Sequence, residues 1–400
     1  MNESPKSRTV SALIYLTSCE LNGIKPQLPE DIDAKEVFRA AVYHGMGALA
    51  ASALSKIGLA NDEMTSHLHA SIRKIMLLDA ERAALCHAFS TAGIWHMPLK
   101  GVILKELYPS IGLRQMSDND ILFDSDKREA VRAIFEQRGY TVSAYGGRTD
   151  DVYMKEPLYN YEMHVALFSE LESERFREYF LDAYQRSLPA DEGGYLRRMT
   201  DEDFYIYMKA HEHKHYSHGG VGLRSLADTY LFIRAFGDKM DAEHLDSELS
   251  SLGISEYERE TRSLALKLLS PEGASALMSS EPELDERERE LLSYLFSSGT
   301  YGTVKNLIRN DIQKRKGRFA GVKYVMSRLF PPMEWYRAYA PFYYEHKILI
   351  PFYIVKRIFL KVILAPGRVI SELSKVNIAN KANKAKGKKR NAEQNDAEKK

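Results

Sequence analysis

Two aspartates stand one residue apart in the run Arg114-Gln115-Met116-Ser117-Asp118-Asn119-Asp120-Ile121-Leu122-Phe123. If Asp120 to Phe123 is a strand, its period of two puts both carboxylates on one face. Carboxylates side by side repel each other unless a cation sits between them. Hard carboxylate oxygens suit Mg²⁺, and Mg²⁺ held by one or two carboxylates usually serves a nucleotide phosphate. The pair therefore points to phosphoryl or nucleotidyl transfer. The competing reading is a turn in which Asp bonds nearby backbone N–H groups. Against it, the pair leads into an apolar strand, where uncompensated charge is costly.

Glu162 is the natural third carboxylate. From Tyr159 to Phe168 the chain alternates, with Tyr161, Met163, Val165 and Leu167 on one face and Asn160, Glu162 and His164 on the other. That is a half-buried strand with a polar working face. A third acid near the pair could hold metal and deprotonate or orient an attacking hydroxyl. His164 shares the face and could contact substrate or simply satisfy Glu162. Lys100-Gly101 precedes a short helical stretch, where glycine lets a phosphate approach the backbone and Lys100 adds charge. Arg114 is placed to bind a triphosphate oxygen or to pair with Asp118.

A second pattern competes. His211-Glu212-His213-Lys214-His215 fits H-E-x-x-H, which on a helix would offer two zinc ligands and Glu212 as general base. The longer protease pattern wants Gly and His where this chain has His218 and Val221. The plainer reading is a polar helix face beside a nucleotide cleft, with His215 or His218 contacting substrate and Asp228 orienting one of them.

Helices and strands must position these groups. Residues 8–92 read as helical, with apolar positions recurring at helical spacing. Ile94 to Leu99 is a short apolar run, and Val102 to Tyr108 looks helical. Lys127 to Arg138 reads as an amphipathic helix with Ala130, Val131, Ile134 and Phe135 inward and Gly139 as its C-cap. Tyr140 to Ala144 reads as a strand. Strands alternating with helices make a small α/β unit. The chain then turns helical again, with a capping-box pattern at Thr200 and Asp203, one helix ending near Gly219 and another running from about Leu223 to Phe236.

The motif block carries a resemblance. Leu99-Lys100-Gly101, Leu107-Tyr108-Pro109 and Arg114 through Leu122 resemble the uncharacterised nucleotidyltransferase family of the DNA polymerase β-like superfamily. Glu162-Met163-His164 is similar to its later strand motif, and His218-Gly219 with Leu223, Leu226 and Asp228 to its downstream helical signature. The resemblance covers roughly residues 35 to 350. It implies an α+β fold, a small mixed sheet flanked by large helical regions. It implies that Asp118, Asp120 and Glu162 bind Mg²⁺, and that a nucleotide passes from a nucleoside triphosphate to an acceptor with loss of pyrophosphate. Lys100, Gly101, Arg114, His164, His215 and His218 are then the nucleotide-binding candidates, with ATP the first choice of triphosphate. Two positions depart from the wider superfamily: Val102 stands where a serine follows the glycine, and Asn119 where an apolar residue separates the acids. The expected division is a helical region over 1–90, a nucleotidyltransferase core over 91–185, a helical domain over 186–317, an aromatic and basic amphipathic segment over 318–373, and a disordered basic tail over 374–400.

Composition bounds the rest. Net charge is +1 over 400 residues, but the last 26 hold nine Lys or Arg against three acids. Two cysteines give neither a disulfide framework nor zinc-ribbon spacing. The first ten residues lack a signal-peptide core, and no run of 18 uncharged apolar residues occurs. A cytoplasmic protein is expected. Residues 348–364, ILIPFYIVKRIFLKVIL, form a basic apolar helix that would either pack across the catalytic domain or lie on the inner, anionic face of a membrane. Nucleic acid is not favoured, because no folded basic face accompanies the tail. The acceptor is unspecified: small molecule, sugar or protein. A non-catalytic nucleotide-binding scaffold of the same fold is the principal alternative, and a zinc hydrolase the third.

Overall fold

The structure is a computed structural model that describes residues 5–169, 172–279, 284–300, 302–315, 319–364, 367, 371 and 374–380. It is an α+β protein of two compact units. The first comprises residues 1–213 with 222–300, the second 214–221 with 301–400.

The first unit opens with four helices, α1 (Pro5–Asn22), α2 (Ala34–Tyr43), α3 (Gly47–Ser55) and α4 (Asp62–Thr91). Polar side chains start α2 and α4: Asp33 accepts from Lys35 N–H and Asn61 from Met64 N–H. The sheet follows, built from β1 (His96–Pro98), β2 (Asn119–Phe123), β3 (Thr141–Ala144), β4 (Asp150–Lys155) and β5 (Tyr159–His164). Its order is β1-β2-β5-β4-β3, with β2 and β5 parallel and the other pairs antiparallel. Helix α5 (Gly101–Leu104) links β1 towards β2, and α6 (Arg128–Gln137) lies between β2 and β3. Gly139, at φ 79°, ends α6 as expected, with Tyr140 N–H donating to Phe135 carbonyl.

The sheet's two faces differ sharply. Ile121, Phe123, Tyr161 and Met163 point to one side, where they pack with Leu85 and Phe89 of α4 and Val131 and Phe135 of α6. Alternate residues, Asp120, Leu122, Glu162 and His164, therefore face the other side. There Leu122 joins a second core with Met97, Leu99, Leu104 and residues 204–208. Two expectations need correcting. Ala130 is exposed, because Val131 and Phe135 alone in α6 are buried against the sheet. Strand β4 escaped detection because it begins with two aspartates. Asp151 is buried there because Arg128 grips it through Nε at 2.6 Å and a second nitrogen at 2.7 Å, and Gly146 N–H donates to it at 2.8 Å.

Helices complete the first unit: α7 (Glu174–Tyr179), α8 (Ala183–Arg186), α9 (Asp201–Ser217), α10 (Arg224–Phe236), α11 (Ala242–Ser251), α12 (Ser255–Leu269), α13 (Pro271–Ser279) and α14 (Glu286–Ser298). Thr200 Oγ1 accepts from Asp203 N–H at the start of α9, as its pattern implied. The last residues of α9, from Lys214, cluster with the second unit. That unit adds α15 (Val304–Lys314), α16 (Ala320–Leu329), α17 (Met333–Tyr339), α18 (Pro341–Glu345) and α19 (Ile350–Leu364). Its core joins Ile308, Ile312, Ala320, Tyr324 and Val376. Residues 374–380, expected to open a disordered tail, are helical, and 381–400 lie outside the described residues.

Candidate active site

Parallel pairing of β2 with β5 sets Asp120 opposite Glu162 and Leu122 opposite His164. Asp120, Glu162 and His164 offer ligand atoms that all lie within 4.8 Å of one another, the one such group of three among the described residues. Asp118 precedes β2, half-buried, and stands beside this group rather than within it.

Lys100 enters from the end of β1. Leu99 N–H donates to Asp120 carbonyl, so the chain leaves the sheet already registered on the aspartate's own residue. Lys100 then turns with φ 45° and ψ −115°, and its carbonyl accepts from Ile103 and Leu104 N–H as α5 begins. It is the one non-glycine with positive φ among the described residues, a conformation costing on the order of 1–3 kcal/mol. The turn delivers its Nζ to 2.8 Å from Asp120 Oδ1, and His164 Nε2 lies 2.8 Å from the same oxygen. Tyr207 of α9, buried, lies close to Lys100.

The charges are unevenly compensated. Burial alone would raise the Asp120 carboxyl, but Lys100 and the His164 hydrogen bond hold it far below the usual range. Burial also works against the Lys100 ammonium, which the Asp120 carboxylate nonetheless keeps charged. Glu162 has no such partner. Burial, then the charges of Asp120 and Asp118, push it up to about 7. Asp118 is raised as well, by burial and then by Asp120. Three carboxylates thus share Lys100, with Arg224 also acting on Asp118. Hard oxygen donors short of positive charge are what a divalent cation such as Mg²⁺ fits.

Residues 30–270 match the family model described as an uncharacterised nucleotidyltransferase. The chain belongs to that family. No curated protein and no solved structure matches it.

In this member of the nucleotidyltransferase family, Arg114 does not pair with Asp118. Its Nε and one terminal nitrogen donate to the two oxygens of Asp228 at 2.8 and 2.9 Å, and Tyr108 hydroxyl donates to the same carboxylate at 2.9 Å. Asp228 therefore does not serve as the orienter of a histidine; it locks the Arg114 loop to α10. Gly101 has a packing duty here. A Cβ at that position would lie 2.6 Å from the remaining Arg114 nitrogen, Nη1. Val102 is buried against Ile75, Leu78 and Met116, so it takes the place of a phosphate-facing hydroxyl with a core contact.

In the H-E-x-x-H pattern, all of it on α9, the acid turns inward. Glu212 is buried, and its two oxygens accept from Lys209 Nζ at 3.0 Å and Tyr257 hydroxyl at 2.9 Å. A general base so engaged inside the helical core corrects the zinc reading. His215 and His218 belong to the second unit, where His218 Nδ1 sits 2.7 Å from Lys214 carbonyl. They do not join the acidic group.

Two residues escaped the sequence. Tyr207 is one. Arg224 is the other: it donates to Gln115 carbonyl at 3.0 Å and feels the charges of Arg114, Asp228 and Asp118. Burial and Arg114 beside it pull its pKa down, the mark of a guanidinium short of anions. Its only sequence signal was an arginine opening a helix, which is commonplace.

Proposed function

We propose that this chain moves a nucleoside monophosphate, AMP in the first instance, from a nucleoside triphosphate to a hydroxyl-bearing acceptor. One observation carries the reading: Asp120 stands opposite Glu162 in parallel register, and the acids outnumber the nearby cations. Asp118, Asp120 and Glu162 would hold Mg²⁺, which supplies neutralisation of phosphate charge and a more acidic acceptor hydroxyl. His164 orients the Asp120 carboxylate. Lys100, beside Tyr207, and Arg224 give cationic contacts for triphosphate oxygens. Glu162, the third acid of the site, takes the acceptor's proton at its Oε. The acceptor oxygen bonds to the α-phosphorus as the bond to pyrophosphate breaks. Most of the contribution is positioning and charge.

Asp120→Asn tests this. It should abolish pyrophosphate release from ATP with Mg²⁺ and cell extract as acceptor source, while the circular dichroism stays unchanged. Undiminished release from the variant overturns the assignment. A second reading, a nucleotide-binding scaffold, is favoured by buried Val102 where a serine would serve phosphate. Calorimetric binding of ATP and Mg²⁺ without pyrophosphate release would select it.

A further inference from the structure

The second unit carries an apolar surface that its own core does not use. On α19, Phe352, Val355, Phe359 and Ile363 are each more than half exposed. At about 100° per residue they fall within an arc of roughly 80°. Ile354, on the opposite side, is buried. Arg357 donates to Arg328 carbonyl and covers the Trp335 ring at 5.0 Å, so α19 is anchored by that inner side. A second stripe runs along α16, where Phe319, Val322, Met326 and Phe330 recur at the same spacing and are about half exposed or more. Such area exposed in one small unit calls for a cover.

The charges around it name the cover. From His346 to Ser371 the chain has five Lys or Arg and no Asp or Glu. Lys356 is exposed beside the α19 stripe, Lys347 is exposed just before the helix, and Lys323 and Arg328 are exposed on α16, a helix without acids. A two-fold contact between copies of this face would set cations against cations. An acyl layer beneath anionic headgroups satisfies both the stripe and its bases. The helix, 15 residues and thus about 22 Å long, is shorter than a hydrocarbon core of about 30 Å. No helix among the described residues is long and apolar enough to cross a membrane.

We infer that α19, with α16, lays its exposed stripe in the plane of an anionic lipid surface. The full-length protein should float with phosphatidylglycerol-containing vesicles and not with phosphatidylcholine alone. Phe352→Glu with Phe359→Glu should lower partitioning at least about tenfold, since two apolar contacts become charges. Lys356→Glu should lower it about fivefold. Asp120→Asn should float like the wild type, which keeps this test separate from that of the catalytic reading. Thermal melts that match the wild type show that the surface variants fold. Absence of flotation with anionic vesicles, or flotation unaffected by the double variant, overturns the inference. So does a concentration-dependent dimer in light scattering that the double variant dissolves while vesicle binding is absent.

Discussion

At the scale of single residues, the most demanding contact is Arg114 with Asp228. A buried, two-toothed ion pair is expensive to break from one side, about 3–5 kcal/mol, because the survivor stays charged without a partner. Asp228→Asn should therefore lower the unfolding free energy by about that much in urea titration. Gly101→Ala attacks the same pair from the other direction, since its methyl would occupy the space of Arg114 Nη1. A loss of about 1–3 kcal/mol is expected, with pyrophosphate release falling in parallel. If Gly101→Ala proves neutral, the glycine is not there for Arg114. Residue types and spacing marked Asp118, Asp120, Glu162 and Lys100 as candidates, and the fold sets Lys100 on Asp120 and Asp120 opposite Glu162. Arg114 did not announce its partner, because Asp228 lies 114 residues away and no local rule links them.

At the scale of elements, α2 is pinned to α10 by a histidine. His44, fully buried after α2, accepts from Leu223 N–H through Nδ1 at 3.3 Å. A proton on that nitrogen would destroy the bond. Burial lowers the His44 pKa to about 4 from the 6.5 of an ordinary histidine. Below pH 6.5 the unfolded chain thus takes up a proton that the folded chain refuses. Stability is fully present above that pH, falls as the pH drops towards 4, and levels off beyond, for a total of about 3 kcal/mol. Urea midpoints at several pH values should show this slope, and His44→Asn should flatten it; an unchanged slope would remove His44 as its source. Strand β5 was readable because alternation is a local signal, visible in Tyr161 and Met163, and β2 because an apolar run follows its aspartate. Strand β4 was not, because the rule that charge means surface fails when Arg128 neutralises Asp151 within the fold.

At the scale of the whole molecule, the site gathers residues from β2, β5, α9 and the turn before α5, so a ligand there stabilises the first unit. Mg²⁺ at a hundred times its dissociation constant should raise the unfolding free energy by about 2.7 kcal/mol. A thermal shift in the wild type that vanishes in Asp120→Asn is the expected result; an equal shift in both would place the cation elsewhere. The α+β class and the helical flanks were legible from periodicity and from the family's motif block. The division into two units was not, since it interrupts α9 after His213, where the sequence pattern runs on unbroken.

Position 100 makes two incompatible requests of evolution. Its backbone, at φ 45°, is one where glycine rests easily, and its side chain must be a long cation that reaches Asp120. With divalent cation supplied to hold the acids, a library at this codon sorted for survival of heating should enrich Gly and Asn. Sorted for turnover, it should return lysine. A lineage that drifted towards thermal hardiness at this one site would keep the fold and discard the reaction.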